Sequence, residues 1–167
     1  MRCRPVRFAI LFSLIVVSAA LMASAASAYD GGAAAAYADT YWQNYNPAWP
    51  SFANNGGDCT NFVSQALYTG GIAMRLSPPY SGNAAWYMLQ NRKHRWSYAL
   101  PWINVQDQSI FALQHLVGVT QVASYYAVPP GQAVANNATQ GDIVLYDWNN
   151  DGVFDHEAIV VDRKSVV

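Results

Sequence analysis

Three hydrophobic rhythms follow one another along the chain. Residues 8–23, "FAILFSLIVVSAALMA", are apolar without a break. Tyr29 to about Asn46, "YDGGAAAAYADTYWQNYN", is alanine-rich, with Ala34, Tyr37, Tyr41 and Tyr45 near helical spacing, which predicts a helix that Pro47 and Pro50 end. A second helix is predicted from Cys59. Phe62, Val63, Ala66 and Leu67 form its apolar face, Asp58 is placed to cap it, and Gly70 with Gly71 stops it. The polar-aromatic stretch 74–102 has little periodicity and reads as loops with a short helix near Ala84–Gln90. "VQDQSIFALQHLVG" predicts a further helix ending at Gly118. The rhythm then turns strand-like. "VTQVASYYAV", "GDIVLYDW" and "HEAIVVD" are β-branched runs, and "NNDGVFD" joins the last two as a hairpin. There are no internal repeats and no linker, and helices precede sheet, which is an α+β order.

The unbroken apolar run is an address rather than a core element. "MRCRPVR" before it supplies three arginines and no acid, and "ASA" at Ala26 to Ala28 fits a signal-peptidase site. A retained membrane anchor is the other reading of such a run. Cleavage after Ala28 removes residues 1–28 and leaves 139 of the 167 residues, enough for one domain with a real core. The expected product is secreted, extracellular or attached to the cell wall, with no membrane contact once the leader is gone. At the other end, "DRKSVV" equals one reading frame of a common sequencing-library adapter followed by a stop codon. The domain is therefore expected to span residues 29–161, cut short at its C-terminal side, with residues 162–167 foreign. A longer read of the locus with the same six codons and stop would contradict this.

Charge narrows the partners. Three of the nine basic residues and none of the ten acidic ones lie in the leader, so the remainder carries −4, six basic against ten acidic. Apart from the short stretch "NRKHRW" no basic run follows, and nucleic acid is not an expected partner. Six Trp and eleven Tyr, with few long charged side chains, suit polar-aromatic surfaces of the kind that hold sugars or peptides.

Cysteine usage sharpens the chemistry. Cys3 leaves with the leader, so Cys59 stands alone and has no intramolecular disulfide partner. It is a buried small residue, a link between chains, or a nucleophile. Its place in the first turn of a predicted helix favours the last. A helix start favours thiolate, and its N–H groups can hold an oxyanion. A nucleophilic cysteine needs a base. His94 lies in the basic run "NRKHRW" and reads as surface. His115 reads as a half-buried structural residue on its helix. His156 opens a strand after a tight hairpin, a rigid mount, and ranks first.

The hairpin itself reads D-x-N-x-D-G through Asp147, Asn149, Asp151 and Gly152, with Asp155 at the ninth position. That is the front of a calcium loop. The closing glutamate slot holds Ala158, and Glu157 is one residue early. An Asp/Asn-rich turn held by its own side chains is the simpler reading, and no cofactor is assigned.

"YWQNYNPAWPSF", "DCTNFVSQALYTGG" and "GDIVLYDWNNDGVFDHEAIVV", taken together and in this order, resemble the bacterial putative amidase domain family. That family looks like a branch of the papain-like cysteine hydrolases, alongside NlpC-type and CHAP cell-wall enzymes. The resemblance implies a papain-like α+β fold with the cysteine at a helix N-terminus and the histidine on a small antiparallel sheet. It implies that Cys59 is the nucleophile and His156 the base of a monomeric amide hydrolase acting on peptide or peptidoglycan. Asp58 matches the acidic residue before the cysteine. A polar residue on the strand after the histidine usually orients the imidazole. That strand would begin after Val161, so the third position stays unassigned: Asp162 is nearest, and Asp155 adjoins the base but points to the other strand face. A wall-binding or interaction module with an inactive site is the alternative from another class.

Overall fold

A computed structural model describes residues 28–55, 58–76, 83–116, 119 and 138–162. The leader apart from Ala28, the strand expected over 119–128 apart from Val119, and residues 163–167 lie outside the described residues.

Helix α1 spans Gly31–Tyr41, where Asp30 caps it by accepting from the Ala33 amide at 3.0 Å. It is shorter than the alanine pattern predicts. Beyond Tyr41 the chain bends because its side chains are engaged elsewhere. Asn46 accepts from the Ala48 amide and donates to Tyr37, while Tyr45 donates to the Pro50 carbonyl. A 3₁₀ turn, Ala53–Asn55, leads toward α2, Cys59–Thr69. Strands β1, Met88–Gln90, and β2, Trp96–Tyr98, pair antiparallel with Met88 opposite Tyr98. The short helix expected over Ala84–Gln90 is therefore not formed. Its residues instead pair with β2 over Met88–Gln90 and make an isolated antiparallel bridge from Trp86 to Arg75, so tertiary pairing overrides local propensity. Asn91 holds the β1–β2 turn by accepting from the Lys93 and Arg95 amides, and His94 sits exposed in the left-handed region at φ 56°.

Helix α3, Leu100–Ile103, starts with Pro101 in its first turn, where a missing N–H costs nothing. It runs into α4, Val105–His115, capped by Asn104 accepting from the Asp107 amide. Strands β3, Ile143–Tyr146, and β4, His156–Ile159, form the expected hairpin, with Tyr146 opposite His156 and Ile143 opposite Ile159. The whole is a mixed helix and antiparallel-sheet arrangement of the α+β class.

The core gathers Val63 and Leu67 of α2 with Trp86, Met88, Trp102 and Phe111, and Ile143 and Ile159 pack against it. Trp86 lies 4.5 Å from Trp102 and stacks on Phe111 at 5.9 Å, centroid to centroid. Two of the tryptophans thus build the interior, whereas Trp42 and Trp148 are exposed. Among the described residues no helix is long and apolar enough to cross a membrane.

Helix α2 is the centre of this packing, and its buried surface is more polar than its apolar pattern announces. Thr60, Asn61, Ser64 and Gln65 are all at most 2 % exposed. Burial of such groups is tolerable only when each is hydrogen-bonded. Asn61 donates to the Tyr45 hydroxyl, the Pro50 carbonyl and Asp58, and accepts from the Trp102 indole. Gln65 donates to Tyr45 and accepts from Tyr37 at 2.6 Å. Ser64 accepts from the Trp86 indole at 3.1 Å. No buried side-chain nitrogen or oxygen among the described residues lacks a partner.

Candidate active site

Cys59 is the first residue of α2 and is half-buried, with its thiol free. Its Sγ lies 3.8 Å from Thr60 Oγ1. Asp58 occupies the cap position as expected, but its carboxylate does not cap the helix. It accepts instead from Asn61 Nδ2 at 2.7 Å and Ser51 Oγ at 3.1 Å. The first backbone bond of the helix runs from the Phe62 amide to the Asp58 carbonyl. The amides of Cys59, Thr60 and Asn61 precede it, so helix geometry provides them with no intrahelical acceptor. Asp58 therefore leaves the amides of that turn without a cap from its own side chain.

His156 is the first residue of β4 and is half-buried. Its ring stacks on Trp148 at 5.5 Å and meets Tyr146 at 5.7 Å. The hairpin ahead of it is anchored to α4 by Gln106, which accepts from the Phe154 amide at 3.0 Å. Strand alternation separates two faces of β4. Glu157 and Ile159 turn inward, the first buried and the second packed against the core, while His156 and Ala158 share the other face. No hydrogen bond joins Cys59 to His156 among the described residues.

The Thr60 hydroxyl, one residue after Cys59, lies near enough to the carboxyl of Glu157, one residue after His156, to favour its ionised form. The starts of α2 and β4 therefore meet. Sequence reasoning missed Glu157, the only glutamate in the chain. The available signal was a charged residue at an inward position of an otherwise apolar strand, "HEAIVV". Glu157 is 2 % exposed, and burial pushes its carboxyl up to about 8, with the Thr60 hydroxyl pulling the other way. The amide of Gln108 in α4 faces it, one end lying 2.7 and 3.1 Å from the two carboxyl oxygens and the other 2.6 Å from Ser64 Oγ. Each protonation state has a matching amide orientation. A neutral carboxyl donates its O–H to the Gln108 oxygen, and a carboxylate accepts from the Gln108 nitrogen.

The other candidates fall elsewhere. His115 ends α4, half-buried against Phe111 at 5.6 Å. Asp155 is exposed and accepts from the Trp148 amide at 2.9 Å, so it is not turned to the imidazole. Asp162 is exposed at the edge of an open depression of about 520 Å³ lined also by Asp39, Gln140 and Val161. A second depression, of about 280 Å³, is lined by Leu76, Tyr87, Leu89 and Ser97. Neither includes Cys59 or His156, and their chemistry is unrelated to the pair. In the hairpin, Asp147 accepts from the Asp151 and Gly152 amides, Asn149 from Asp151, and Asp151 from Val153. These are turn-forming bonds of the Asx kind. Asn150 and Gly152 take the left-handed conformations that the turn requires, at φ 58° and 85°. Among the described residues no three acidic, histidine or cysteine side chains cluster in a way that could hold a metal.

Comparison with known proteins bears on the same residues. The model of the putative amidase domain family matches residues 28–167. An uncharacterized Bacillus subtilis (strain 168) protein, YhbB, is 33 % identical over 133 residues, which is 80 % of this chain. The chain spans 37 % of that relative's length. No solved structure matches the chain significantly. The family match covers both α2 and the β3–β4 hairpin, and the chain belongs to the putative amidase domain family.

Proposed function

We propose that this protein is a secreted, cysteine-dependent amide hydrolase of papain-like fold, acting on peptide or peptidoglycan amide bonds. The observation that carries this reading is the meeting of two element starts: Cys59 opens α2, His156 opens β4, and the residues after them lie close together. In the proposed reaction His156 takes the Cys59 proton as sulfur attacks the carbonyl carbon. The uncapped amides of the first turn of α2 hold the tetrahedral oxyanion. His156 then gives its proton to the departing amine, leaving a thioester. Water, deprotonated by the same imidazole, releases the acid and the free thiol. Catalytic hydrogen bonds in an unliganded site often tighten only with substrate bound, so the open Cys59–His156 geometry is compatible with this chemistry.

The aromatic surroundings of His156, stacked on Trp148 and beside Tyr146, favour a second reading, a wall-binding module of the same fold with no turnover. One experiment separates them. Purified peptidoglycan and its soluble muropeptides are incubated with the protein and with Cys59→Ala, and new amino groups are counted by mass spectrometry. The hydrolase reading expects release that falls by a factor on the order of 10³ or more in Cys59→Ala. Release that is equal in both proteins sinks it. Retention on insoluble peptidoglycan with no release supports the binding module.

A further inference from the structure

We propose that Glu157 is a positioning residue that fixes the start of β4 against the first turn of α2, and so sets how His156 approaches Cys59. The inference rests on the Cys59–His156 reading above and names what holds the pair in register.

Glu157 is fully interior and belongs to neither candidate's side chain. It links its own strand to two helices. From β4 its carboxyl reaches Thr60 on α2 and Gln108 on α4, and Gln108 continues to Ser64, which also receives the Trp86 indole. Thr60 is the residue against which the Cys59 sulfur rests. A chain of contacts thus runs from sulfur through Thr60 to Glu157, one peptide away from His156. A core that needed only volume here would be served by an apolar side chain. The carboxyl is the part that can bridge a hydroxyl on one helix and an amide on another. Burial also favours its neutral form, in which it has one donor and one acceptor for those two partners.

The test follows carbamidomethylation of Cys59 by iodoacetamide at neutral pH in the full chain, by mass spectrometry. The proteins are wild type, E157Q, E157L and T60V, each with and without H156A. Removing the base slows labelling by about tenfold or more. E157L and T60V are expected to slow it to a similar degree, and E157L/H156A is expected to be no slower than H156A alone, because both act through one pair. E157Q keeps a neutral donor and acceptor and is expected to stay within about threefold of wild type. A folded E157L that labels at the wild-type rate overturns the proposal. So do E157L and H156A effects that multiply, which would mark a merely structural loosening. If E157L does not fold, T60V decides alone, and wild-type labelling in it overturns the proposal. If H156A slows labelling and the Glu157 and Thr60 variants do not, only the positioning role fails. If H156A itself has no effect, the Cys59–His156 pairing fails and takes this role with it.

Discussion

Asn61 shows how much of the local structure one side chain can carry. Its oxygen is the acceptor for the Trp102 indole, and its nitrogen reaches Tyr45, Pro50 and Asp58. Asn61→Leu keeps the volume but strands the indole N–H in the core. The expected loss is about 2 kcal/mol or more of unfolding free energy in urea. Adding Trp102→Phe removes the stranded donor, and the double variant is expected to lose less than the two single losses added. A loss under about 0.5 kcal/mol for Asn61→Leu would contradict the arrangement. Nothing in the sequence marked Asn61, Ser64 or Gln65 as interior. Their partners come from Tyr37, Tyr45, Trp86, Trp102 and Gln108, and a polar residue reads as exposed until such distant partners are known. The element starts at Cys59 and His156 were legible because their signals are local: a helix start after Asp58, and a strand start after a hairpin.

At the scale of elements, those whose signal lies within one segment were easier to read than those made by distant pairing. Both long helices after Asp58 follow from side-chain periodicity within one segment. β1 does not, because its pairing depends on Trp96–Tyr98 and on the Arg75–Trp86 bridge. The join between α1 and β3 was invisible for the same reason. A Cβ on Gly31 would sit 2.2 Å from the Gln140 carbonyl oxygen, and one on Gly141 would sit 2.2 Å from the Gly31 Cα. Gly141 also holds φ at +90°, and its carbonyl accepts from the Tyr29 hydroxyl. Gly152 shares the positive φ, at +85°, with open space around it. The two glycines therefore separate strain from collision. Gly152→Ala is expected to cost about 1–2 kcal/mol for its backbone alone. Gly141→Ala carries that cost plus a backbone overlap and is expected to lose at least twice as much in chemical denaturation. Equal losses would mean that the α1–β3 approach is looser than described.

For the molecule as a whole, the buried carboxyl makes stability depend on pH in an unusual direction. Glu157 titrates near 4.5 when exposed in the unfolded chain and near 8 in the folded one. Between those values the folded state holds the proton and the unfolded state has released it, so stability falls as pH rises. The contribution is complete below about 4.5 and is lost as pH approaches 8. Thermal melts across that window are expected to decline toward alkaline pH in wild type and to flatten in E157Q, which cannot ionise. Parallel profiles for the two proteins would show that Glu157 is not the group responsible.

The polar ladder along α2 has a consequence for the states that compete with the native one. A helix buried by leucine and valine alone can rotate or slide and find nearly equivalent packing. A helix that also buries Thr60, Asn61, Ser64 and Gln65 cannot, because each wrong setting strands several donors and acceptors at once. Mispacked compact forms are thereby pushed up in free energy, and the gap below them widens. The orientation in which α2 presents its first residue is then one choice rather than an average over many.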